Sequence, residues 1–206
     1  MARRVGVFGG SFDPIHVGHL MLAEFCRDAA RLDEVRFIPA AQAPHKDRAE
    51  ASNQSRLEML RLATLGNPHF AIDECELHRG GRSFTVDTLE DLASRIPDDE
   101  LFLLMGSDSL SDFPTWRMPE RICELATPLV VHRGGTESPD WSALEELVSP
   151  ERLAEIARMA VGFPAVEISS SEMRNRIGLG RSIRYFVPRA VEEYIRHQRL
   201  YQRADA

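Results

Sequence analysis

Short apolar runs alternate along this chain with longer stretches whose apolar positions follow a helical period. Val5–Phe8 is apolar apart from a glycine and stops at Gly9-Gly10, the mark of a buried strand. From Val17 the pattern changes. Glu24, Arg27, Asp28 and Arg31 form a charged stripe, while Leu20, Leu22, Ala23, Phe25, Cys26 and Ala29 fill the other positions, which predicts an amphipathic helix. Further strands are expected at 35–38, 70–73, 101–105, 129–132 and 166–168. Further helices are expected at 56–65, from near Thr85, at 144–148, at 152–159, from Ser169, and from Pro188 to about Arg199. Ser169 followed three positions later by Glu172 is a capping-box pattern. The polar stretch "PAAQAPHKDRAEASNQ" reads as a loop.

Strands alternating with helices predict an α/β fold with a mostly parallel sheet covered on both faces. Such sheets bind ligands beyond the carboxyl ends of their strands. A length of 206 residues fits one domain or one domain with an appendage. No repeat, low-complexity tract or linker divides the chain. No apolar run approaches the roughly 20 residues of a membrane span, and the first residues show no signal-peptide pattern. Three separated cysteines without a C-x-x-C pair fit free thiols in a reducing cytoplasm. The net charge of −7 argues against a nucleic-acid partner but leaves room for a local anion site. Of the 25 basic residues, Lys46 alone is lysine.

The chemistry gathers where the first strand ends. Gly9 and Gly10 lack Cβ atoms, so backbone N–H groups there can approach a ligand closely. The next helix turns its N-terminal N–H groups and positive dipole end toward the same place. His16 and His19 stand i, i+3 and share a face of the first turn. Gly18 between them omits a side chain that would crowd a bound group. A lone histidine near a helix start is most often structural; the pair, the glycine between and the preceding Gly-Gly together point to a phosphate site. H-x-x-H with no neighbouring Glu and no evident third ligand is not a zinc pattern. Neither G-x-G-x-x-G nor G-x-x-x-x-G-K-[ST] occurs. Downstream, "EISSSEMRNRI" repeats the logic: hydroxyls and N–H groups at a helix start, then Arg174, whose guanidinium can fork onto phosphate. Alone it reads as a capped surface helix; beside the first site it becomes a grip for the far end of a polyphosphate.

At these residues the chain resembles the nucleotidyltransferases with an H-x-G-H signature, here His16-Val17-Gly18-His19. These also carry an I-S-S-[ST]-x-x-R element, here Ile168-Ser169-Ser170-Ser171-Glu172-Met173-Arg174. Class I aminoacyl-tRNA synthetases carry a similar histidine signature but are usually much larger. "GGSFDPIHVGHL", "APHK", "SFTVDTL" and "GSDSLSDFPTW" are similar to the bacterial nicotinate-nucleotide adenylyltransferases over nearly the whole chain. Phosphopantetheine adenylyltransferases are similar at both phosphate motifs, but are typically shorter and lack the last segment. Ser11 stands where Thr is common, and Ala43 precedes Pro44 where Pro is common; neither change removes a needed donor.

The resemblance implies a Rossmann-like, doubly wound α/β nucleotidyltransferase domain over residues 1–206, with a helical C-terminal part at about 169–203. It implies transfer of AMP from ATP to nicotinate mononucleotide, giving deamido-NAD and pyrophosphate, a step of NAD biosynthesis in the cytoplasm. Mg²⁺ would ride on the substrate phosphates rather than on side chains. The attacking phosphate oxygen is already anionic, so no general base or protein nucleophile is required. By this resemblance His16, His19, Lys46 and Arg174 are catalytic. ATP is met by Gly9, Gly10, Ser11, Phe12, His16, His19, Gly106, Asp108, Ile168, Ser169, Ser170, Ser171 and Arg174. The nicotinate nucleotide is met by His45, Lys46, Ser83, Thr85, Ser107, Trp116 and Arg117. Several of these have plainer readings: Lys46 as an exposed loop residue, Asp108 as a helix cap, Trp116 as core, Arg117 as a solvent-facing side chain. Asp13 either supports the phosphate turn or only forms it. Arg56 reads as a helix-surface residue, Trp141 as structural and the Arg3–Arg4 pair as solvated. Other acceptors on the same fold (nicotinamide mononucleotide or phosphopantetheine) and a nucleotide-binding regulator without turnover are the alternatives. No membrane or nucleic-acid partner is expected. A homo-oligomer is left open, since no decisive interface stripe stands out.

Overall fold

The computed structural model describes residues 2–42, 49–133 and 139–202. In chain order the elements are β1 (Arg4–Gly10), α1 (Val17–Ala29), β2 (Glu34–Pro39), α2 (Asn53–Thr64), β3 (Phe70–Ile72), α3 (Cys75–Arg79), α4 (Thr85–Arg95), β4 (Glu100–Gly106), α5 (Ser107–Asp112), α6 (Pro119–Leu125), β5 (Thr127–Arg133), α7 (Ser142–Glu145), α8 (Pro150–Arg158), β6 (Val161–Phe163), α9 (Ser170–Gly178) and α10 (Arg189–His197). The six strands form one sheet in the order β3-β2-β1-β4-β5-β6. Every pairing is parallel, giving the doubly wound Rossmann-like arrangement.

The two-residue period of the strands sorts their side chains between two cores. Val5, Val7, Leu101, Leu103 and Val130 join α4 and α6 on one face, through Val86, Leu89, Leu92 and Ile122. Phe8, Phe37, Phe102, Leu104 and Leu129 join α1 and α2 on the other, through Ala23, Cys26, Met59 and Leu60. α9 and α10 add Met173, Val191 and Ile195 to that second core. Serines cap three helices: Ser52, Ser149 and Ser169 each accept the N–H three residues on.

The final strand lies at Val161–Phe163, not at 166–168. Residues 161–163 pair with β5 in the register Val131↔Val161, His132↔Gly162, and the residues that follow, up to the start of α9, join no ladder. The alternation at 166–168 therefore reflects half-buried Val166 and Ile168 on either side of an exposed Glu167, outside the sheet. Arg56 is not on the helix surface: it is 1 % exposed, the largest fully buried side chain among the described residues. Nor is the Arg3–Arg4 pair simply solvated. Arg3 pairs with Asp99 and Glu34, and Arg4 with Glu100 while lying 4.3 Å from the Phe102 ring centre.

Candidate active site

From β1 the chain winds one way through β2 and β3, and from β4 the other way through β5 and β6, so the winding reverses between β1 and β4. A crevice opens at such a point, beyond the carboxyl ends of the strands. Here it is two cavities sharing one wall. The first, of about 980 Å³, runs between the end of β1, the start of α1 and the start of α9. The second, of about 590 Å³, lies between β1, β4 and the start of α4. Phe8, Gly9, Gly10 and Ser11 line both.

The histidine pair stands in the first cavity. The His16 and His19 rings stack with centres 3.7 Å apart and planes 22° apart. The His16 backbone N–H donates to His19 Nδ1 at 3.2 Å, and the His19 N–H donates to the His16 carbonyl at 3.0 Å. Burial holds the His16 imidazole at a pKa of about 4, so the ring is neutral near pH 7. Its Nδ1 is buried with no hydrogen-bond partner among the described residues. A Cβ built on Gly18 would stand 3.1 Å from that Nδ1 and 3.2 Å from Cε1. The missing side chain thus makes room for the His16 ring itself. One expected donor is already engaged: the Val17 N–H, at the start of α1, donates to the Phe186 carbonyl at 2.9 Å.

The first turn of α9 faces the same cavity with Ser169, Ser170, Ser171 and Arg174. Ser169 is committed to capping, accepting from the Glu172 N–H at 3.1 Å. The Ser170 hydroxyl donates to the Pro14 carbonyl at 2.9 Å, tying the helix to the turn before α1 rather than standing open. Arg174 donates to the Asp13 carbonyl at 2.9 Å and to Glu50 at 2.7 Å. Leu22, Phe163, Val166 and Ile168 give this cavity an apolar side.

Asp13 is the anchor of the turn. Its carboxylate, 4 % exposed, accepts from the Glu50 and Ala51 N–H groups at 2.8 and 3.2 Å and from the Tyr201 hydroxyl at 2.7 Å. Burial, reinforced by the Asp13 charge, raises the Tyr201 phenol far above its ordinary range.

The second cavity is lined by Ser83, Thr85, Thr88, Glu76, Trp116 and Arg117 with apolar Phe84, Leu103 and Met105. The Ser83 hydroxyl accepts from the Ala41 N–H at 3.0 Å. Thr88 donates to Glu76 at 2.6 Å and accepts from Arg79 at 2.7 Å. Trp116 is half-buried with its ring 5.2 Å from that of Phe113. Arg117 pairs with Asp87 at 3.1 Å and lies 4.9 Å from the Phe84 ring centre.

Most of the residues singled out from sequence therefore meet in this double crevice. Gly9, Gly10, Ser11, Phe12, His16, His19, Ile168, Ser169, Ser170, Ser171 and Arg174 line the first cavity, and Ser83, Thr85, Trp116 and Arg117 the second. Gly106 lines the second cavity. Ser107 and the exposed Asp108 line neither. His45 and Lys46 lie outside the described residues. Among the described residues no group of three or more His, Cys, Asp or Glu side chains converges as a metal site, and no helix is long and apolar enough to cross a membrane.

Residues 7–176 match the family described as cytidylyltransferase-like. A Rhodopirellula baltica protein named "Probable nicotinate-nucleotide adenylyltransferase" is 43 % identical over 96 % of this chain and 93 % of its own length. A Thermus thermophilus protein of the same name is 44 % identical over 97 % of this chain and 100 % of its own length. The chain belongs to the nicotinate-nucleotide adenylyltransferase family. A Plasmodium falciparum nicotinic acid mononucleotide adenylyltransferase, solved in complex with NaAD, shares the fold with a TM-score of 0.74 at 18 % identity, covering 97 % of both chains.

Sequence reasoning missed several residues that build the crevice of this adenylyltransferase-family member. Arg56, Glu76, Tyr201 and Glu50 carry no local motif, and each acts on a partner distant in the chain. For Arg56 the one available signal is its place beside Leu57, Met59 and Leu60 in α2; Glu76 lies in a five-residue helix that carries no pattern.

Proposed function

We propose that this chain transfers AMP from ATP to nicotinate mononucleotide, releasing deamido-NAD and pyrophosphate, as one nucleotidyltransferase domain. The observation that carries this reading is the shared wall: two nucleotide-sized cavities meet at Gly9–Ser11. A nucleotide in each would bring its phosphate to the other's. ATP takes the first cavity, its base against Leu22, Phe163 and Val166 and its triphosphate between the histidine pair and α9. The mononucleotide takes the second, its ring beside Trp116 and its carboxylate at the start of α4, where N–H groups lack intrahelical partners.

An oxygen of the mononucleotide phosphate attacks the α-phosphorus of ATP. The bond from that phosphorus to the α–β bridging oxygen breaks, and pyrophosphate leaves with the electron pair. His16, neutral by burial, and His19 serve as hydrogen-bond partners for the phosphates with Ser11. Ser171 and Arg174 hold the departing pyrophosphate, Arg174 exchanging Glu50 for phosphate oxygens. Lys46 and His45 are assigned to the phosphates or the mononucleotide by resemblance. A divalent cation, assigned as Mg²⁺, would be held by the substrates' phosphates and would draw off their charge. Catalysis here is alignment and charge stabilisation.

The test is pyrophosphate release from ATP with nicotinate mononucleotide, nicotinamide mononucleotide and phosphopantetheine side by side. The acid mononucleotide should turn over fastest. Equal rates with acid and amide defeat the specificity assigned here, and ATP binding with no release for any acceptor makes the chain a nucleotide-binding regulator.

A further inference from the structure

The parallel ladder between β1 and β2 ends at the pair Gly10↔Pro39. One more bond, from the Ala40 N–H to the Gly10 carbonyl at 2.9 Å, extends it. Beyond that the sheet no longer fixes the two chain segments, although Ser11 is part of the wall between the cavities and Ala40 lines the second. Arg56 takes over at this point. From α2 its guanidinium donates to the Ser11 carbonyl at 2.5 Å and to the Ala40 carbonyl at 2.6 Å, and it is held by Asn53 Oδ1 at 2.7 Å. Its Nε is buried with no partner among the described residues. Asp13, on the first cavity, and Glu76, on the second, supply opposing charge.

We propose that Arg56 is a positioning residue that sets the spacing of the two bound nucleotides by clamping the Ser11 and Ala40 carbonyls across the tips of β1 and β2. Stability alone is a poor reason for an arginine here. A buried ionic cluster replaced as a whole by apolar side chains of similar volume often loses no stability, although removing the arginine alone strands the acceptors it satisfies. A planar fork of fixed donors, however, can hold two carbonyls at a set separation, which neither an apolar side chain nor a point-charged ammonium can do. Arg56 lines neither cavity, so it acts through the two loops and not on substrate.

The inference rests on the transfer proposed above. Arg56→Met and Arg56→Lys are compared with the wild type by steady-state kinetics, by calorimetric binding of each nucleotide and by thermal unfolding. Arg56→Met should lower kcat about 100-fold, the scale of an ångström's misplacement, with both KM values and both affinities unchanged. Arg56→Lys should fall between, because one ammonium reaches one carbonyl and not both. Wild-type kcat in a folded variant, or a loss confined to KM, overturns the proposal. Should both variants fail to fold, Asn53→Ala releases the guanidinium from its third acceptor, and should lower kcat modestly at constant KM; an unchanged kcat overturns it. Wild-type enzyme inert toward nicotinate mononucleotide refutes the reaction instead. Crystal structures of wild type and Arg56→Met then decide without turnover: the Ser11–Ala40 separation should change, and an unchanged separation sinks the clamp.

Discussion

Gly18→Ala separates the histidine site from the fold that carries it. Position 18 lies in the first turn of α1, where alanine is favoured over glycine by up to about 1 kcal/mol. The added Cβ would stand 3.1 and 3.2 Å from His16 Nδ1 and Cε1, against 3.4–4 Å for an ordinary contact. The ring must yield by a few tenths of an ångström. It is 5 % exposed and stacked at 3.7 Å on His19, so it cannot yield without moving His19 too. Overpacking of this kind costs about 1–3 kcal/mol, partly offset by the helix gain, which leaves a net loss of roughly 0–2 kcal/mol. The catalytic loss is read separately. In the roles proposed for them both rings shift together by a few tenths of an ångström, so kcat should fall several-fold, short of the roughly 100-fold that a full ångström costs. The assay pairs urea unfolding with kcat for pyrophosphate release. A folded Gly18→Ala enzyme with wild-type kcat would mean that the ring positions are not critical, and the reasoning would be wrong.

Three further outcomes follow from the same geometry. His16 has a folded pKa of about 4 against an unfolded value near 6.5, so the unfolded chain binds more protons between those values. Its contribution is complete above pH 6.5 and is lost as pH falls toward 4, reaching about 3 kcal/mol. Denaturant titrations of wild type and His16→Gln over that window should differ in slope, and equal slopes refute the assignment. Tyr201→Phe removes a hydrogen bond to a buried carboxylate and should cost about 1.5–3 kcal/mol in the same measurement; no change would mean Asp13 is satisfied without it. Arg117→Ala should leave the preference for acid over amide mononucleotide intact, because Asp87 already answers that charge. A collapse in the ratio of the two kcat/KM values would transfer selection from the start of α4 to Arg117.

The sheet was legible because each long strand is an apolar run closed by a turn residue, as in β1 and β4. β6 was not, since three residues with a central glycine carry no period, while the half-buried alternation at 166–168 imitates one. α3, α5 and α6 are too short for a helical pattern to accumulate. At the site, both phosphate motifs were legible because glycines, histidines and serines are packed into a few positions. What holds the motifs was not. Arg56 meets backbone carbonyls of residues 11 and 40, and a carbonyl leaves no mark on the sequence. Asp13 and Tyr201 are 188 positions apart and meet only because α10 packs on α2. Arg56 sits among Leu57, Met59 and Leu60 in a pattern that assigns charge to solvent, and burial reverses that assignment once acceptors are supplied.

On the proposed reading, an acidic chain that grips a triphosphate needs its positive potential to be local, and two features of the crevice fit that need. His16 is kept neutral by burial, so in the role proposed for it the ring serves through hydrogen bonding and not through charge. Arg174 stands at the cavity with Glu50 as counter-ion; in the role proposed for it, an entering phosphate replaces that carboxylate instead of meeting a bare cation. The exchange is favourable where the phosphate offers more acceptor oxygens and more charge than the carboxylate it displaces. Affinity then depends on a difference between two ion pairs, which is smaller than either. That moderation suits an enzyme that must release pyrophosphate after each transfer: Glu50 stands ready to take back the guanidinium, and the leaving group is not trapped by the donors that stabilised its departure.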